Sequence, residues 1–271
     1  MPTVLRPLNT GELLDRTFSL YRNRFALFFG IVALPHLVLL ACQLVGVAIL
    51  PTARDLSTIM FSGLWGIVTL LVSVIVSAAS QAATIVAVSQ VHLDRPASVL
   101  DAFGRVKGQI AGVIGLSFVM GLAVGLGFVL LIVPGILLLV RWSLAVPAKV
   151  LEDLGVGDSM SRSSQLTEGN RWRVFVIWLL FVVLSIAVSM LLQWPITFGT
   201  ALLVKGGGPA AVAWVQVASA VATFISQCLV GPLATIAFSL VYYDERVRKE
   251  AFDLQLMMTA LDGGQAQMAP A

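Results

Sequence analysis

The chain has 271 residues, of which 58% are hydrophobic and 11% charged, with a net charge of +3 and a mean hydropathy of +0.95. Soluble domains carry about 25% charged residues, because one face of every element meets water. This composition excludes a soluble globular enzyme, the length leaves no room for a separate catalytic domain, and no nucleic-acid partner is expected.

The 17 basic and 14 acidic side chains are gathered into short clusters separated by five charge-free runs, Phe25–Ala53, Leu56–Leu93, Gly108–Val140, Val174–Val204 and Gly206–Tyr243. At ~1.5 Å rise per residue, about 20 apolar residues cross the ~30 Å hydrocarbon core, and each run is longer than that. The sequence therefore predicts an all-α polytopic membrane helix bundle.

Before the first run lie Arg6, Arg16, Arg22 and Arg24, in a lead too long for a cleavable signal peptide. Leu14, Phe18, Tyr21 and Phe25 fall at helical spacing, and Asn9 and Glu12 are placed as a capping box, so a short amphipathic helix is predicted ahead of the first span at 25–50. That span holds His36, directly after Pro35. A neutral ring satisfied by an unpaired carbonyl at the proline is one reading, and a place on a polar path is the other. Cys42 and Cys228, each inside an apolar run, read as small buried hydrophobes.

The second span, at 59–91, carries Ser73, Ser77, Ser80, Gln81 and Thr84 close to one face. These residues serve either interhelical hydrogen bonding beside Ala78, Ala82 and Ala83, or a hydrated path. A second amphipathic stretch, Val99–Val106, leads into a span at 110–133, where Gly121 and Gly125 form a GxxxG pattern that permits close helix approach. Pro134-Gly135 then predicts a turn. The returning limb, 136–151, contains Arg141, the one charge set inside apolar sequence. This limb is short for a full span, so a re-entrant helix remains an alternative. Arg141 needs carbonyls, water or a lipid phosphate as partner: it is either a functional group, or a long side chain that snorkels to the nearer interface or bonds broken-helix carbonyls near Pro134.

A third amphipathic stretch, Asp158–Leu166, precedes spans at 174–203 and 210–243, which Pro195 and Pro232 are expected to kink. The chain thus reads as three units, each a short interfacial helix followed by a membrane hairpin. Beyond the last span, Val247, Ala251, Leu254, Met258 and Leu261 share a helix face whose start carries Arg246, Arg248 and Lys249. Two readings stand: an interfacial helix with its basic end on anionic lipid, or an extension of the last span packed on its neighbours. Residues 1–262 are expected to form a single domain, and 263–271 a disordered tail.

Four basic clusters hold all of the Lys and Arg except Arg54, Arg141 and Lys205. The positive-inside rule places all four on the cytoplasmic side. That requires the stretch from Ile110 to Leu151 to enter the membrane and return, giving six segments with cytoplasmic N- and C-termini. Arg171, Arg173, Arg246, Arg248 and Lys249 are the candidate interfacial basic residues, and Arg141, Ser77, Gln81 and His36 the candidate lipid or polar-path residues. No carboxylate lies inside a run, which disfavours an Asp/Glu proton relay. There is no HExxH, CxxC or GxSxG, and two histidines support neither a metal centre nor a catalytic triad. No catalytic residue, metal or cofactor is expected.

Three stretches, RPLNTGELLDRTFSLYRNRFALFFGIVALP from Arg6, IVPGILLLVRWSLAVPAKVLEDLGVGDSMSRSSQLTEGNRWRVF from Ile132, and GPLATIAFSLVYYDERVRKEAFDL from Gly231, resemble a bacterial family. It is the membrane domain found ahead of some glycerophosphodiester phosphodiesterases, and also as a stand-alone protein. The resemblance implies a six-helix inner-membrane domain. The resemblance implies that hydrolase chemistry belongs to an appended soluble barrel, and none is expected in these 271 residues. The expected role is non-catalytic: interaction with membrane lipids, or scaffolding of another envelope protein, with oligomeric state open. The alternative is a small transporter or flippase-like carrier with a polar path near Arg141 and the Ser77/Gln81 face.

Overall fold

The computed structural model describes residues 8–49, 56–92, 95–203 and 209–250. They form ten helices: α1 (Thr10–Asn23), α2 (Phe25–Ile49), α3 (Leu56–His92), α4 (Val99–Val106), α5 (Ile110–Leu130), α6 (Ile132–Arg141), α7 (Ala145–Glu152), α8 (Val156–Thr167), α9 (Arg171–Leu203) and α10 (Pro209–Glu250). Six stretches are long and apolar enough to cross a membrane: α2, α3, α5, the broken segment Ile132–Glu152, α9 and α10. Helices are what a hydrocarbon solvent demands, since each closes its own backbone hydrogen bonds. The chain is a multi-pass membrane protein.

The three short helices α1, α4 and α8 each precede a hairpin. In α1 the capping box is formed as the sequence predicts: Asn9 Oδ1 accepts from the Glu12 N–H at 2.8 Å, and the Glu12 carboxylate accepts from the Asn9 N–H at 3.0 Å. Its packed face matches the expected one in part, since Leu14 and Tyr21 pack against the core. Leu13 and Thr17 are fully buried, whereas Phe18 and Phe25 are exposed. Leu13 and Thr17 are four apart, so they stack on one side of the helix and seat it on the bundle.

The third span departs from the Pro134-Gly135 turn. α5 ends at Leu130, Leu131 is extended (φ −162°, ψ 149°), and α6 starts at Ile132. Pro134 therefore sits in the first turn of the new helix, where its missing N–H has no intrahelical partner to lose. The limb breaks a second time at 142–144, and Pro147 takes the same place in the first turn of α7. This second break leaves backbone groups that α8 satisfies. Ser163 Oγ donates to the Arg141 carbonyl at 2.8 Å and accepts from the Leu144 N–H at 3.1 Å, while Thr167 Oγ1 donates to the same carbonyl at 3.3 Å.

Despite both breaks, the limb returns along the whole of α5. A Cβ at Gly127 would lie 3.0 Å from the Gly135 Cα, and one at Gly112 would lie 2.7 Å from Lys149 Nζ. At the base, Gln109 Nε2 donates to Asp153 Oδ1 at 3.0 Å. Gly127 and Gly135 thus make the close approach expected of Gly121 and Gly125, at which an added Cβ meets nothing within 4 Å. The GxxxG pair therefore makes no close helix approach.

α10 is the central helix, packed on α9, α2, α3 and α1, and the most buried of the spans. The core lies in the half of the bundle nearest the charged residues, where Phe28, Ile31, Ile85, Leu116, Ile177, Ile236 and Tyr242 are fully buried. Toward the other end the surface turns apolar and exposed, through Leu56, Met60 and Leu64 on α3, the α5–α6 tip from Val129 to Val133, and Leu191, Trp194 and Phe198 on α9. Of the expected tail helix, Val247 continues α10 with its side chain packed away; the positions from Ala251 and the tail 263–271 lie outside the described residues.

Ser163→Ala should lower stability by about 1–3 kcal/mol, because it strips partners from two backbone groups at the 142–144 break. Thermal unfolding in detergent against the exposed Ser161→Ala checks this; equal melting temperatures would remove Ser163 from the account.

Candidate functional site

Three groupings of polar side chains stand out, and each is built by helices that are remote in sequence.

The first is an ionic belt at the charged end. Arg173, at the start of α9, reaches Asp244 Oδ2 at 2.5 Å and Glu245 Oε1 at 3.2 Å, and donates to the Leu8 carbonyl at 2.9 Å. Arg248 donates to the same Asp244 oxygen at 2.9 Å and to the same carbonyl at 2.5 Å, while Asp244 Oδ1 accepts from the Leu8 N–H at 2.7 Å. Asn170 Nδ2 donates to Glu245 Oε2 at 2.7 Å. Beside this knot, Arg162 pairs with Glu152 at 3.0 Å and with Glu250, and Arg246 pairs with Glu250 at 3.0 Å. Tyr242 donates its hydroxyl to Glu152. Glu250, then Glu152, hold the Arg162 guanidinium above its ordinary pKa, so it stays charged. Lys249 Nζ donates to the Gln165 and Glu168 carbonyls at 2.7 and 2.5 Å. The structure thus places Arg173 between α9 and α10, Lys249 between α10 and α8, Arg246 between α10 and α7, and Arg248 between α10 and Leu8, which a count of basic residues does not reveal.

The second grouping surrounds Arg141. Its Nε donates to Ser164 Oγ at 2.8 Å, and it lines a surface groove of about 360 Å³ with Trp142, Gln165, Glu168 and Arg171. Among the described residues, no carboxylate lies within ion-pair distance of Arg141 or Arg171. Trp172, next to Arg171, is 75% exposed.

The third is a polar chamber of about 260 Å³ inside the spans. His36 of α2, Ser77, Ser80 and Gln81 of α3, Ser185 and Ser189 of α9, and Ser226, Gln227 and Thr235 of α10 line it. Gln81 stands about 17 Å along α3 from His92 and Gln227 about 26 Å along α10 from Asp244, so the chamber lies deep in the bilayer. The His36 Nδ1 donates to the Val32 carbonyl at 2.8 Å, which fixes the proton on that nitrogen; Ser80 Oγ is 3.5 Å away. The acceptor is therefore the carbonyl four residues before His36 itself. Pro232 behaves differently, for the Cys228 carbonyl four residues before it accepts from the Tyr21 hydroxyl at 3.4 Å. Burial pushes the Tyr21 pKa up to about 12, which keeps that hydroxyl a donor.

His36, Ser77 and Gln81 are thus brought together, and Arg141 is not with them. Ser73 and Thr84 turn back onto the Leu70 and Ser80 carbonyls, while Ala78, Ala82 and Ala83 pack into the core. The α9 and α10 contribution was missed from sequence. Its signal was there: Ser185 and Ser189 stand one helical turn apart in a charge-free run, and Ser189 meets Ser226 at 3.1 Å. Among the described residues, no three His, Cys, Asp or Glu side chains gather as metal ligands.

Two outcomes test the charged contacts, one in the belt and one at α4. Arg173→Ala leaves two carboxylates, Asp244 at 1% and Glu245 at 0% side-chain exposure, short of a cation. It should cost about 3 kcal/mol or more in unfolding experiments, against less than about 0.5 for Arg171→Ala. At α4, the Gln90 amide, then Arg105, hold the Asp101 carboxyl below its usual range. A depressed folded pKa stabilises fully above the unfolded value of about 3.9 and loses that contribution as pH falls through the folded one. Hydrogen-exchange protection, corrected for the intrinsic rate, should therefore fall first in α4 on acidification from about pH 5 toward pH 3; an equal change across the helices would contradict it.

The chain is similar to the UPF0259 membrane protein SG1383 of Sodalis glossinidius (strain morsitans), at 37% identity over 116 residues, which are 43% of this chain and 46% of that protein. The match thus spans less than half of that relative's length. No solved structure matches. A family model described as a domain of unknown function, DUF7847, matches residues 60–245, from the second span through the Asp244–Glu245 pair of the ionic belt. That match covers most of the chain and all three polar groupings in large part, so the protein belongs to the DUF7847 family of membrane proteins.

Proposed function

We propose that this chain is a non-catalytic integral protein of the bacterial inner membrane that binds anionic lipid through Arg141 and Arg171, and in doing so scaffolds the envelope. The observation that carries the reading is the contrast between these two arginines and the belt. Arg162, Arg173, Arg246 and Arg248 are all matched to carboxylates, whereas Arg141 and Arg171 share one groove with none in ion-pair reach among the described residues. Two guanidiniums with Trp142 and Trp172 beside them suit a phosphate at the edge of the hydrocarbon, where tryptophan also settles. The four basic clusters support cytoplasmic N- and C-termini, which puts the groove on the leaflet rich in anionic lipid. The resemblance to the membrane domain of glycerophosphodiester phosphodiesterases supports the same membrane and a role without hydrolysis.

A small carrier is the second reading. The polar chamber deep in the spans favours it, since transport sites lie near the midplane beside interrupted helices. Its path would run by Ser77 and Gln81 without Arg141.

Native mass spectrometry from nanodiscs of phosphatidylglycerol and phosphatidylethanolamine tests the lipid reading. Wild type should retain phosphatidylglycerol, and Arg141→Ala and Arg171→Ala should each weaken that retention about fivefold, the effect of ~1 kcal/mol per basic residue near the surface. Equal retention by all three proteins would sink it.

A further inference from the structure

The polar chamber is not isolated. Gln81, Ala234 and Thr235 also line a second cavity of about 410 Å³ between α3, α5, the α6–α7 limb, α9 and α10. We infer that the two cavities form one binding site for a neutral, single-chain lipid bearing a hydroxylated head, of the monoacylglycerol type. The head occupies the His36–Gln227 chamber and the chain lies in the second cavity.

The first argument is chemical contrast across a shared wall. The chamber is walled by hydroxyl, amide and imidazole groups, and the second cavity largely by apolar side chains such as Ile85, Met120, Val124, Leu139 and Phe238. The second cavity has the volume of a small-ligand site and too few polar partners to hold water throughout, whereas the chamber can satisfy a polar head. At the ~30 Å³ share of a water molecule, about 410 Å³ accommodates on the order of a dozen chain carbons, one acyl chain rather than two.

The second argument is charge. No Asp, Glu, Lys or Arg lines either cavity. A phosphate or ammonium head would be taken out of water with no counter-charge, which the low dielectric penalises heavily. Hydroxyls carry no such penalty and can both donate and accept.

The third argument is unfilled hydrogen-bonding capacity. Ser80 and His36 answer one another and the backbone, and Ser189 answers Ser226. Ser77, Gln81, Ser185 and Gln227 have no side-chain partner among the described residues, and both glutamines are exposed within the spans. An amide facing hydrocarbon unpaired is costly. A diol head at the mouth between the cavities supplies donors and acceptors to Gln81 while its chain continues past Ser117 toward Gly121.

The site shares no residue with the Arg141–Arg171 groove, so each stands without the other. Native mass spectrometry of detergent-purified protein incubated with monolauroylglycerol, and separately with lauroyl lysophosphatidylglycerol, tests it. Gln81→Leu removes the amide at nearly constant volume. Gly121→Leu fills the second cavity, since an added Cβ there meets nothing within 4 Å. Wild type should retain monolauroylglycerol over the anionic lysolipid. Gln81→Leu and Gly121→Leu should each cut retention about tenfold, the effect of losing ~1.4 kcal/mol. Arg141→Ala should leave it unchanged, and Gly121→Leu should keep or raise the melting temperature. No retention by wild type, undiminished retention by either cavity variant, or preference for the lysolipid would overturn the inference.

Discussion

The Asp244 carboxylate, almost sealed from solvent, accepts from Arg173, from Arg248 and from the Leu8 backbone, and so joins the start of the described chain to the two helices of the last hairpin. Charges cannot reside in hydrocarbon, so they collect at the helix ends; once several are buried there together they must be matched. That requirement fixes which ends meet. Glu245 binds Asn170 and Arg173, and Glu152 at the base of the broken limb binds Arg162 of α8 and Tyr242 of α10. With the bases pinned, three hairpins share one floor, and the position of each span along the bilayer follows from its distance to that floor.

Much of the architecture was legible because charge exclusion from hydrocarbon is a strong, one-dimensional signal. The six segments, the three short helices before the hairpins and the capping box at Asn9 all follow from residue order. Helix breaks were harder. Pro35, Pro195 and Pro232 lie inside continuous helices, while Pro134 and Pro147 each occupy the first turn of a new one. A proline requires only that no N–H be needed at its place, and both settings satisfy that. In both settings a remote neighbour satisfies freed backbone groups. Tyr21 does so at Cys228, and Ser163 does so at the 142–144 break, and neither partner is near in sequence.

The polar groupings were legible only in part for a related reason. A helix face can be read from spacing, but the helix it will meet cannot. The Ser77–Gln81 face was visible on α3, and its complement on α9 and α10 was not matched to it. Arg141 was visible as an exception to charge clustering, yet its company was decided by the second break. By ending α6 at Arg141, the break turns the chain so that α8 packs on the exposed carbonyl and brings Ser164 to the guanidinium. The basic residues near the end of α10 looked alike in sequence, because a positive count does not distinguish a cation matched to a carboxylate from one left for lipid.

The uneven packing of the bundle has a mechanical consequence. Near the belt, side chains interlock and ion pairs hold the helices at fixed separations. Beyond the chamber, α3, α9 and the α5–α6 tip present Leu56, Leu191, Trp194 and Val129 to Val133 outward, so acyl chains supply much of the lateral contact that other helices supply near the belt. The two ends therefore differ in stiffness. Thickness and lateral pressure of the surrounding bilayer act on the compliant end, where tilt accommodates mismatch at modest cost, while the rigid end serves as the pivot. A mismatch between bilayer and bundle is therefore met where acyl chains, and not neighbouring helices, border the spans.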